Sequence, residues 1–130
     1  LDQVQHELWC RFGFPLVRDR QGAALFSVPL DSDEQRYPSG GQLRVYRSLD
    51  DGDSWQPNEA GLPDHSYHVV LRQAMACDQL GEHAEGREGG VYFGNAGGEV
   101  FASADLGRTF QRLPGSLPRI LCVEAFVTPD

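Results

Sequence analysis

The sequence contains no apolar run approaching the roughly 20 residues that a helix needs to span a bilayer. It is poor in basic residues: 11 Lys and Arg stand against 19 Asp and Glu, for a formal net charge of −8. That deficit argues against nucleic acid and against an anionic membrane surface as partners, because both require a basic face. Cysteine is sparse and scattered, at Cys10, Cys77 and Cys122, each within an apolar stretch. The three are expected to be small buried hydrophobes in a reducing compartment, forming neither a disulfide framework nor a zinc site. No basic-then-apolar signal segment opens the chain. The expected location is therefore cytoplasmic, with secretion left open should an upstream signal be missing. No cofactor and no metal are expected.

Glycine and proline are plentiful instead, 15 and 8 in 130 residues, and they fall between short apolar runs. This distribution favours short strands and tight turns over helices. Hydrophobic content of 40% in a chain of this length supports one domain with a real core.

The chain repeats itself. VYRSLDDGDSWQPNEAGLP (45–63) aligns with VFASADLGRTFQRLPGSLP (100–118) at a constant offset of 55. Upstream, ALFSVP (24–29) aligns with GVYFGN (90–95) at an offset of 66, so the first copy carries eleven extra residues between two strands. A shared pattern with its length change confined to one loop marks a repeated supersecondary unit. Strands are expected over 24–29 and 43–48 in the first copy and over 90–94 and 99–103 in the second. A further strand in each copy should start at Trp55 or Phe110 and run toward Leu-Pro. Asn95-Ala96-Gly97-Gly98 reads as a tight hairpin link. The apolar stretches 8–17, 66–77 and 119–127 complete the pattern as inner strands. The predicted fold is all-β, with two four-stranded antiparallel units of about 8–63 and 66–118 and one extra inner strand at 119–127.

Each copy holds an eight-residue box, SLDDGDSW (48–55) or SADLGRTF (103–110). A calcium loop of the EF-hand type places its glycine sixth, after oxygen ligands at positions one, three and five. With Gly52 sixth, those positions begin with Arg47 and Leu49, and the match fails. The second copy replaces Asp51 with Leu106 and Asp53 with Arg108, so extra carboxylates are not shared. What persists is Ser48/Ser103, Asp50/Asp105, Gly52/Gly107, Ser54/Thr109 and Trp55/Phe110. Those residues suit a turn: the Asp accepts backbone N–H groups, the Gly takes a conformation that a Cβ opposes, and the aromatic wedges into the core.

The pattern S-x-D-x-G-x-[ST]-[WF], present twice, resembles the Asp-box or bacterial neuraminidase repeat. Over roughly residues 12–127, FGFPLV, GGQLRVYRSLDDGDSW, VVLRQAMACD and VYFGNAGGEVFASADLG are similar to the last blades of bacterial BNR-repeat "glycosyl hydrolase" β-propellers. The resemblance implies a partial propeller domain over 1–130. It places the boxes on the turn between a blade's third and fourth strands, away from the active-site face. The same box occurs in sialidases, xyloglucanases, sortilin-type receptors and photosystem assembly factors, so the fold does not choose a function.

If the boxes mark one face, the opposite face carries 30–42, 57–68, 94–98 and 114–119, while the acidic, glycine-rich 78–90 lies on the box side. The eleven-residue insertion falls in LDSDEQRYPSGGQ (30–42), and long loops on a rigid scaffold concentrate function. Asp31 and Glu34 are the candidate carboxylate pair for glycoside hydrolysis, against the plainer reading of a solvated acidic loop. Asp33, Arg36 and Tyr37 are candidate ligand contacts, joined by Asp64, His65 and His68 on the next link. The two histidines lack a third ligand nearby, so a surface role outweighs metal binding. Arg72, in VVLRQAM, is expected to be buried on a strand lining a central channel, although the resemblance calls for Asp where Gln73 stands. The arginine triad, tyrosine–glutamate pair and acid-base aspartate that sialidases use cannot be placed on these residues.

The expected function is a carbohydrate- or protein-binding segment without a complete catalytic site of its own. The alternatives are a glycoside hydrolase whose remaining catalytic residues lie on missing blades, and a protein-interaction or assembly scaffold. Missing blades or further copies of the chain are the expected partners that would close the ring.

Overall fold

The computed structural model describes residues 15–19, 24–28, 41–78 and 89–125. Among these there is no α-helix, and hence none long and apolar enough to cross a membrane. The described residues form two four-stranded antiparallel sheets. The first runs β1 (Leu16–Asp19), β2 (Ala24–Ser27), β3 (Val45–Ser48), β4 (Gln56–Asn58) in that spatial order. The second runs β5 (Met75–Cys77), β6 (Val91–Gly94), β7 (Val100–Ser103), β8 (Gln111–Arg112). Strand follows neighbouring strand throughout, which short hairpin-type links permit and crossover links do not.

The registers repeat as well as the order. Leu25 opposes Ser48 where Val91 opposes Ser103, and Tyr46 opposes Pro57 where Phe101 opposes Arg112. Ser27 opposes Leu16 where Phe93 opposes Met75. The sequence offsets of 66 and 55 are thus the structural offsets of the second and third strands. The β6–β7 hairpin closes on Asn95, which is fully buried. Its Oδ1 accepts from the amides of Gly97 and Glu99 at 3.0 and 3.1 Å, and its own amide donates to Glu99 O at 3.0 Å. Gly98 holds φ +82° there, and a Cβ on it would stand 1.8 Å from Leu117 O.

The core lies between the two sheets and uses different faces of each. Strand side chains alternate between faces with a period of two. From the first sheet Ala24, Phe26, Val28 and Val45 enter the main cluster, and from the second Val91, Phe93, Phe101 and Phe110. The first-sheet equivalents of that second set, Leu25, Tyr46 and Trp55, form a separate cluster on the opposite face. The sheets therefore meet front to back. Phe93 stacks on Phe101 with ring centroids 5.1 Å apart and meets Phe110 edge-on at 5.5 Å. Each such buried aromatic contributes about 1.5–3 kcal/mol by removal from water.

Several sequence expectations are corrected. β1 covers Leu16–Asp19, ending two residues beyond the expected stretch 8–17, of which 8–14 lie outside the described residues. β5 occupies only Met75–Cys77, because Ala74 N donates to Leu71 O at 2.9 Å and closes a turn just before it. β4 and β8 start one residue after Trp55 and Phe110 and stop well short of Leu-Pro. Residues 119–125 form no strand. Their described backbone contacts are Ile120 N to Asn95 O at 3.2 Å and Val123 N to Gln73 O at 3.0 Å, separate carbonyls that make no ladder. The cysteines also divide: Cys77 is partly buried and Cys122 is exposed, while Cys10 lies outside the described residues.

Candidate functional site

The two boxes form matching hydrogen-bonded turns. In the first, Gly52 N donates to Ser48 Oγ at 2.8 Å and Ser54 N to Asp50 Oδ1 at 2.8 Å, while Ser48 Oγ donates to Asp50 Oδ1 at 2.9 Å. The Ser54 hydroxyl donates to Asp50 Oδ2. In the second, the corresponding distances are 2.9, 2.9 and 2.7 Å, and Thr109 Oγ1 donates to Asp105 Oδ2 at 2.6 Å. The hydrogen bonds from Ser54 and Ser48 hold the Asp50 carboxyl below the usual aspartate range. For Asp105, burial pushes upward, but the Thr109 and Ser103 bonds outweigh it and the net shift is also downward. The carboxylates are spent on their own turns. Trp55 Nε1 donates to Gly52 O at 3.1 Å, which ties the indole to the same loop.

The second box is also clamped by the first sheet. Arg47 Nη1 donates to Leu106 O at 3.2 Å and Asn58 Nδ2 to Gly107 O at 3.0 Å. A Cβ on Gly107 would stand 2.5 Å from the Phe26 ring, so glycine serves both the φ of +78° and the close approach. Leu106, at φ +57°, is held in the left-handed region by its amide bond to Gly89 O at 2.9 Å.

On the first sheet an open cleft of about 540 Å³ lies between the approach to β3 and the link after β4. Leu43 and Leu62 are its apolar lining residues, and Gln42, Arg44, Glu59, Asp64 and His65 its polar ones. Alternation explains Arg44: it stands between buried Leu43 and Val45 and so turns the other way. Arg44 Nε donates to Glu59 Oε2 at 3.0 Å. That bond raises the guanidinium pKa further, against a smaller effect of burial. Next to the cleft, Ser66 N donates to Gly41 O at 2.7 Å, and the Tyr67 ring lies against Gly41 while remaining 61% exposed.

Of the sequence candidates, Asp64 and His65 come together at this cleft. His68 does not join them: its ring lies against Gly97, where a Cβ would fall 2.6 Å from it. Arg72 is corrected, since it sits exposed in the turn before β5 and not buried on a strand. Asp31, Asp33, Glu34, Arg36 and Tyr37 lie outside the described residues. Arg44, Glu59 and Gln42 were not singled out from sequence. The available signal was the break in the repeat, because at offset 55 Arg44 faces Glu99 and Glu59 faces Pro114.

The equivalent place on the second sheet holds a groove of about 150 Å³, lined by Gly98, Val100, Leu113, Pro114, Gly115 and Leu117. Its charges are displaced to a neighbouring ion pair, Arg112 Nε to Glu99 Oε2 at 3.2 Å. Among the described residues no group of three His, Cys, Asp or Glu side chains is placed to hold a metal ion. No protein-family model matches this chain, and no curated protein is similar to it in sequence.

Proposed function

We propose that the two sheets are blades of an Asp-box β-propeller and that the first-sheet cleft is a carbohydrate-binding site working without turnover in this chain. The observation that supports the binding reading is the contrast between the two equivalent clefts. Both follow the fourth strand, but only the first is large and polar enough for a small ligand, within the roughly 300–1,000 Å³ usual for such sites. The propeller reading is supported by the duplicated register and by the front-to-back core. A front-to-back interface is heterologous, and two units joined that way leave one face at each end for further units. Those units are further blades of a longer chain or other copies of this one.

The test is a glycan library presented to the chain, with bound sugar and released product measured together. Retention of a glycan without product supports the reading. Product release would replace it with a glycoside hydrolase, and a stable protein partner with no glycan affinity would replace it with a scaffold.

A further inference from the structure

We infer that the first-sheet cleft selects neutral saccharides through a vicinal diol and rejects anionic sugars. The inference rests on the carbohydrate-binding reading and adds the ligand class. The first argument is charge. Arg44 is the sole arginine or lysine among the described residues lining the cleft, and Glu59 already engages it at 3.0 Å. One positive charge from Arg44 against one negative charge each from Glu59 and Asp64 gives the arginine and carboxylates a sum of −1, on a chain of formal net charge −8. A sialic or uronic acid carboxylate would meet net repulsion, because the one cation at the cleft already shares its charge with Glu59.

The second argument is hydrogen-bond pattern. Arg44 supplies only donors and Glu59 only acceptors, and the ion pair holds them side by side. Adjacent sugar hydroxyls can each accept from one and donate to the other, and bonds to charged groups are the stronger kind. The Gln42 amide, with both a donor and an acceptor, extends the same wall. The third is shape. Leu43 and Leu62 add apolar lining, and the exposed Tyr67 ring, which lies against Gly41 next in sequence to Gln42, is an aromatic face that the C–H side of a pyranose could cover. The second groove lacks these parts: Pro114 stands where Glu59 does, and Glu99 where Arg44 does.

The experiment is calorimetric titration of the full chain with neutral oligosaccharides (cellohexaose, mannohexaose, xyloglucan heptasaccharide, lactose) and anionic ones (sialyllactose, oligogalacturonate). At least one neutral sugar should bind, and the anionic ones should not. Glu59→Ala and Arg44→Ala should each weaken that binding tenfold or more with an unchanged melting temperature. Glu59→Gln, which keeps the shape, should weaken it less. Asp64→Asn combined with Glu59→Gln brings the local charge to +1 and should let oligogalacturonate bind. Tighter binding of an anionic sugar by the unaltered chain would overturn the charge argument and leave carbohydrate binding standing. Neutral binding indifferent to Arg44 and Glu59 would overturn the site assignment in the same way. If no sugar of either kind binds, both this inference and the carbohydrate reading fall.

Discussion

The turn at 48–55 and the turn at 103–110 make the same hydrogen bonds through their serine, aspartate, glycine and second hydroxyl residue, yet they sit in different surroundings. Asp51 and Leu49 of the first are exposed, and Asp51 pairs with Arg18 across the surface. In the second, Leu106 packs against the core, and the turn is held by Arg47, Asn58 and the Phe26 ring of the other sheet. The positions that repeat build the turn. The positions that differ decide what it touches. The clefts teach the same lesson: matching strands border both, but one is large and polar and the other small and mostly apolar.

The comparison breaks most decisively in the core. Ser27 and Phe93 occupy the same register position, but Phe93 is fully buried among Phe101 and Phe110, whereas Ser27 donates to Pro15 O at 2.8 Å. Phe93→Ala should cost about 3–5 kcal/mol through transfer and cavity together. Ser27→Ala should cost about 0.5–1.5 kcal/mol, the net worth of one hydrogen bond. Urea denaturation of the two variants checks the ratio, and equal losses would show that the sheets do not divide the core as described.

Much of this arrangement was legible beforehand, and the failures have physical causes. Strand order, hairpin and boxes were readable because they depend on local chemistry: glycine where φ is positive, Asp and Ser where amides need acceptors. The extent of the strands expected over the apolar stretches was not. An apolar stretch such as 66–77 is equally consistent with a strand or a buried link, and here the turn at Leu71–Ala74 leaves only three residues to pair. Residues 119–125 read as a strand by composition, but a strand needs a neighbouring edge and the stretch meets only isolated carbonyls. The cleft was half visible. Asp64 and His65 stood out as polar residues on a link, whereas Arg44 and Glu59 become a pair only through the β3–β4 register, which sets Val45 opposite Asn58.

A smaller effect separates the two turns themselves. Asp105→Ala should destabilise by about 1–3 kcal/mol, because the Thr109 amide and the Ser103 and Thr109 hydroxyls lose their partner in a partly buried turn. Asp50→Ala should cost less, since its turn is exposed and water can replace the carboxylate. Acid should reveal the same groups. Both carboxyls are held below the usual aspartate value, so their contribution is fully present above about pH 4 and is lost as pH falls through the depressed folded values. The drop in melting temperature from pH 5 to pH 2 should therefore shrink in the double variant Asp50→Asn, Asp105→Asn. An unchanged acid limb would mean that other carboxylates govern it.

The least disruptive probe uses the thiols. In the register Cys77 stands where Arg18 does, opposite Val91 and Leu25 respectively. Arg18 is exposed at its edge, but Cys77 packs against the main cluster because the second sheet abuts the first there. Burial first, then the Asp19 and Asp78 carboxylates, push the Cys77 thiol up to about 12. At pH 8 that leaves on the order of one part in ten thousand as thiolate, the form that reacts. Cys122 is exposed, with its Sγ 3.9 Å from Glu124 Oε1. Iodoacetamide at pH 8 should therefore modify Cys122 in the native chain and reach Cys77 only after denaturation, as read by peptide mass spectrometry. The rate at Cys77 also reports on the contact between the sheets. Phe93→Ala, which loosens the same cluster, should accelerate its labelling while leaving Cys122 unchanged. Equal labelling of Cys77 and Cys122 in the native chain would mean that β5 is no better covered than the exposed stretch holding Cys122, and the packing of the second sheet against the first would have to be abandoned.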